Sequence, residues 1–168
     1  DEAYNMANSG LLPINQAVME SVERLARKGV QFVSYTHDDG TVHRDTIETA
    51  TLRAVRTGIT QCAAEITLER MKQYDWDIVL VSAHLGARDK GEGPENHAKW
   101  QGKFYSLSGK DYPNFYKVTG YGTGEGLSGW NCRHTFGPGN GKFNPYKDID
   151  PEENHKVYEL SQKQRLYE

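Results

Sequence analysis

Asp77-Ile-Val-Leu-Val-Ser-Ala83 is the most apolar run in the chain, and the rest of the fold is read outward from it. Consecutive Ile, Val, Leu and Val without polar alternation predict a central strand buried on both faces. His84 follows at once, at a strand end where a side chain is firmly held and displayed.

Upstream, Asp45-Thr-Ile-Glu48 reads as an N-cap with an acidic partner three residues on. It opens a helix to about Lys72 with Val55, Ile59, Cys62 and Ile66 along one face, so Cys62 reads as a small buried apolar residue. Before it, Val30-Gln-Phe-Val-Ser-Tyr35, a turn at Asp38-Asp39-Gly40 and Thr41-Val42-His43 predict a hairpin. Earlier still, Pro13 suits a first helical turn, Ile14, Val18, Val22 and Leu25 make one apolar stripe, and Gly29 caps the end. Residues 1–12 read as a tail or linker, and the missing initiator Met favours a fragment or a processed product.

Downstream the texture changes. Residues 85–102 are rich in glycine and charge, with Arg88 to Glu95 read as a solvated loop. Lys103 to Leu107 and Tyr116 to Thr119 are expected as strands, Gly120 to Gly129 as irregular, and Asp150-Pro151-Glu152-Glu153 as the start of a helix to about Gln164. The predicted class is α+β: a small, mostly antiparallel sheet packed against two main helices, with a Gly-rich irregular subdomain and a C-terminal helix. Residues 13–168 are expected as one domain, with its motifs in 82–136.

Composition narrows the functional classes. A length of 168 residues suffices to bury roughly 70% of the unfolded surface without staples. Mean hydropathy is −0.77, yet ten Tyr, five Phe and three Trp argue against disorder. The net charge of −3 gives no global attraction to nucleic acid or anionic lipid, leaving only a local basic face for DNA. No run of 18 apolar residues exists to span a bilayer, and the first residues have no signal-peptide pattern. The two cysteines, Cys62 and Cys132, are expected as free thiols in a reduced compartment, though one disulfide is conceivable.

Several residues have chemistry to offer. His84, His97, Cys132 and His134 are possible metal ligands of the kind zinc accepts, and in extended backbone Cys132 and His134 share a face. The usual chelating pairs of Cys or His are missing, and the histidines can equally bond loop carbonyls, so no cofactor is required. A thiol nucleophile at Cys132 with Arg133 beside it and His84 or His97 as base is a second possibility. A metal-independent nuclease using His84, His97 and His134, with Arg88 and Arg133 as phosphate clamp and Tyr121 or Trp130 to stack bases, is a third. The formal G-x-G-x-x-G in Gly120 to Gly129 precedes no helix, so a loop with positive φ and close backbone approach is expected instead. Trp100 and Trp130 are read as packing anchors.

As an ensemble these residues carry a resemblance. Val81-Ser-Ala-His84-Leu-Gly-Ala-Arg88, then His97-Ala-Lys-Trp100-Gln101-Gly102, then Gly129-Trp130-Asn131-Cys132-Arg133-His134 resembles the phage minor capsid protein 2 family, over about residues 13–145. It is similar, more loosely, to Mu-type phage head morphogenesis proteins. Family members are longer, so the resemblance implies the C-terminal domain of such a protein. It implies a structural component of a tailed-phage head, near the portal or inside the head, in the host cytoplasm during assembly. Its partners would be portal or capsid proteins, with DNA as a further candidate through a local basic face and no membrane. Residues Trp100, Gln101, Gly102, Gly129, Trp130, Asn131 and Cys132 form its structural signature, while Asp150 to Glu168 inherit no role. The alternative is a His-dependent nuclease or a zinc-dependent, toxin-like hydrolase on His84, His97, His134 and Arg133.

Overall fold

The computed structural model describes residues 5, 7, 9–10, 12–36 and 40–167, with side chains up to residue 164. Most of the tail expected at 1–12, and the Asp38-Asp39 turn, lie outside the described residues. The chain divides into two compact units, Asp1–Thr60 and Gln61–Glu168.

In the first unit, helix α1 (Ile14–Arg27) ends as its sequence prescribes. Gly29 takes φ +78°, its N–H donates to Ala26 and that of Val30 to Leu25, so the final carbonyls are satisfied by a Schellman motif. Strands β1 (Phe32–Thr36) and β2 (Val42–Thr46) pair antiparallel, Phe32 opposite Thr46. Helix α2 (Ile47–Gln73) follows without a break and continues into the second unit. Val18 and Val55 are buried together, with Val22, Leu52 and Ile59 packed on them. The expected cap at Asp45 is displaced by one residue. Thr46 Oγ1 accepts the Thr49 N–H (3.3 Å), whereas Asp45 belongs to β2 and pairs with His43 (2.9 Å) and Arg53. Burial opposes the Asp45 charge, but those two hydrogen bonds outweigh it and hold the carboxyl below the usual carboxylate range.

The second unit is built on β3 (Ile78–Val81), the central strand the apolar run predicted. It lies between β4 (Phe104–Ser106) and β5 (Phe136–Pro138), antiparallel to both, with Val79 opposite Tyr105 and Pro138. Val79 and Val81 are fully buried against Leu68 and Met71 of α2, together with Trp100, Tyr105, Phe115 and Leu127. The apolar face of α2 thus differs from the expected one beyond Ile59: Ala64, Leu68 and Met71 face inward and Ile66 is exposed. Residues 116–119, expected as a strand, belong instead to a short helix, α4 (Phe115–Thr119). The Asn114 side chain accepts the Lys117 N–H at its start and Gly120 closes it in the left-handed region, two local signals that override β-branched composition. A further turn, α3 (His97–Trp100), precedes β4. The last helix, α5 (Pro151–Tyr167), begins where expected, with Asp150 Oδ1 accepting the Glu152 N–H at 2.9 Å.

Candidate functional site

His84 leaves the end of β3, His97 opens α3, and Cys132 and His134 lead into β5, so all four converge beside one end of the central sheet. The His84 and His134 rings stack at 4.4 Å between centroids, and the His97 ring lies edge-on to His134 at 5.3 Å. Trp100 packs against both His97 (4.5 Å) and His134 (4.8 Å). His97, Trp100 and His134 are at most 2% exposed.

A relay of amides sets the protonation of this cluster. Ala87 donates its N–H to Asn154 Oδ1 (2.9 Å) and accepts from Asn154 Nδ2 (3.2 Å), and a peptide group has one donor and one acceptor, so the Asn154 amide has one orientation. Asn154 Oδ1 then requires a donor, Gln101 Nε2 (3.3 Å), which turns Gln101 Oε1 the other way. That oxygen accepts the His84 N–H (3.0 Å) and faces His134 Nε2 at 3.0 Å. His134 therefore carries its proton on Nε2 and keeps a lone pair on Nδ1, 3.7 Å from Cys132 Sγ. By the same reasoning His97 Nε2 donates to the Glu125 carbonyl (2.9 Å) and His84 Nδ1 to the Leu85 carbonyl (2.9 Å), leaving His84 Nε2 buried and unpartnered.

Burial dominates the electrostatics. It pushes His97 down to about 4, against the pull of the Glu125 carbonyl and with help from Arg88 and His84. It pushes His134 down to about 2, with His84, His97 and Arg88 adding to the fall. Both are neutral at pH 7. Burial raises the Cys132 thiol, against the backbone amides of His134, Ser128 and Gly129.

His97, Cys132 and His134 are the one group of three or more metal-ligating side chains found among the described residues, with one ligand atom of each within 4.8 Å of the others. His84 stands beside that group and outside it. His84, His97, His134, Arg88 and Arg133 line a cleft of about 160 Å³, closed on one side by α5 residues such as Val157 and Tyr158. Arg88 donates to the Trp130 carbonyl (2.9 Å) and, more weakly, to that of Glu125 (3.4 Å), so it also fastens the glycine loop.

The expected solvated loop at 88–95 is pinned. Glu95 accepts the N–H groups of Glu92 and Gly93, Asn96 Nδ2 bonds Asp89 and Gly91, and Trp100 Nε1 donates to Pro94. Trp100 is the anchor the sequence suggested; Trp130 is not, since its indole rests on Gly124 with 60% of the residue exposed. Gly102 holds φ +65° with Ala83 and Tyr146 close by, Gly129 lies against the Gly124 carbonyl, and Asn131 takes φ +56°. Asn154, fully buried and central to the relay, is the residue sequence reasoning missed. It sits in a polar helix with no motif around it.

Fold and site together define an α+β chain whose irregular half is organised by a buried His–Trp–Gln cluster. The chain belongs to the phage minor capsid protein 2 family, whose sequence model matches residues 1–168, beyond the 13–145 over which the resemblance was legible. No curated protein and no solved structure matches it. Membership makes it a virion component with a structural role, and no described helix is long and apolar enough to cross a membrane.

Proposed function

We propose that this chain is a low-copy structural element of a tailed-phage head, seated near the portal or inside the head, and that its motif cluster exists to hold the irregular subdomain. The observation that carries this reading is the inward use of the motif side chains. Trp100, Gln101, His97 and His134 are at most 7% exposed and are bonded to the protein itself. Assembly in the host cytoplasm and contact with portal or capsid proteins follow from such a role. The exposed aromatics Trp76 and Phe143, beside the edge strand β5, support a protein partner. Any DNA contact is local, through Arg133 and its surroundings, given the net charge of −3.

The test is a comparison of variants. Gln101→Ala is expected to lose cooperative unfolding and near-ultraviolet dichroism, while the wild type leaves DNA and RNA intact on long incubation with or without divalent ions. A Gln101→Ala protein with native dichroism and stability, or strand cleavage by the wild type, contradicts the reading.

A further inference from the structure

We propose that His97, Cys132 and His134 form a zinc site with three protein ligands and a fourth position turned toward the adjacent cleft. The donor set is the borderline-soft N and S combination that zinc favours, at Zn–N near 2.0–2.1 Å and Zn–S near 2.3 Å. A tetrahedron of those bonds places neighbouring ligand atoms roughly 3.3–3.8 Å apart. Cys132 Sγ and His134 Nδ1 already stand at 3.7 Å, and the widest separation in the trio, at most 4.8 Å, needs to contract by about 1 Å.

The surroundings are those of a metal site. Metal-binding histidines donate their second ring N–H to an oxygen, which fixes the tautomer and aims the free nitrogen. His134 does so to Gln101 Oε1 and His97 to the Glu125 carbonyl. The relay from Ala87 through Asn154 to Gln101 leaves the Gln101 oxygen no other orientation. The cost of ionising the buried thiol is met when a Zn–S bond forms and the Cys132 proton leaves to solvent. His97 and His134 both reach the cleft, where His84 holds its unpartnered Nε2. Three protein ligands with an accessible fourth position is the pattern of zinc that binds a further ligand, and of zinc that does chemistry.

Cobalt(II) gives a readout independent of activity. The full chain, stripped by chelator and titrated with Co²⁺, is expected to bind one ion with a thiolate-to-cobalt charge-transfer band that excess Zn²⁺ abolishes. With only two cysteines in the sequence, persistence of the band in Cys62→Ser assigns it to Cys132 even if Cys132→Ser fails to fold. His84→Ala is expected to retain one ion per chain. A folded wild type with no band at saturating Co²⁺, or a band lost in Cys62→Ser, overturns the site. Loss of binding in His84→Ala overturns the open fourth position.

Discussion

At the scale of single residues, the second unit depends on amides. Asn154→Ala would leave both polar groups of the Ala87 peptide and the Gln101 amide without partners in the interior. Each such group costs about 1–3 kcal/mol, so the variant is expected to lose several kcal/mol in urea unfolding. Trp130→Ala, at an exposed position, is expected to lose less than about 1 kcal/mol. The two buried histidines set a pH dependence for the metal-free protein. An unfolded imidazole titrates near 6.5, whereas His97 and His134 in the fold titrate near 4 and 2. Above pH 6.5 neither state takes the extra protons, so stability is level. Below it the unfolded chain gains protons the folded chain refuses, and stability falls by up to about 1.4 kcal/mol per histidine per pH unit. That fall runs to about pH 4 for His97 and further for His134. Denaturant midpoints measured from pH 7 to 4.5 check it, and a flat profile contradicts it. The histidines, Cys132, Trp100 and Gln101 were legible in the sequence as residue types with chemistry to offer. Their direction of use was not, because a side chain pointing into backbone and one pointing into a cleft have the same spacing.

At the scale of elements, local signals predicted the termini well wherever side chain meets backbone. Gly29, Asp150 with Pro151, and the strand at 78–81 all stand where the sequence placed them. Two readings failed because a partner distant in sequence outranked a local pattern, or one local pattern outranked another. Asp45 looked like a cap, but Arg53, two turns into α2, holds it, and Thr46 caps instead. Thr46→Ala is expected to cost about 1 kcal/mol, read by thermal or urea unfolding. Val118 and Thr119 favour strands, but the Asn114 cap and Gly120 stop make a helix. In the glycine loop, a Cβ on Gly126 would collide with the Gly120 carbonyl, whereas one at Gly122 would meet open space. Gly126→Ala is therefore expected to abolish folding of the second unit, by circular dichroism. Gly122→Ala should cost only the strain of its φ of +93°, of order 1–2 kcal/mol.

At the scale of the whole molecule, the α+β class followed from element order, and the family followed from three motifs read together. The strands divide between a two-stranded and a three-stranded antiparallel sheet, a partition that depends on long-range pairing and leaves no local trace. The contribution of α5 was likewise hidden, since one Asn in a polar helix has no periodic signature. A head component must travel with the particle, and that is the direct test of the structural role. Quantitative mass spectrometry of purified, DNA-filled virions of the phage encoding this chain, washed free of lysate, should find it at a constant, low copy number per portal ring. Its absence from such particles, with the protein abundant in the lysate, would contradict the account.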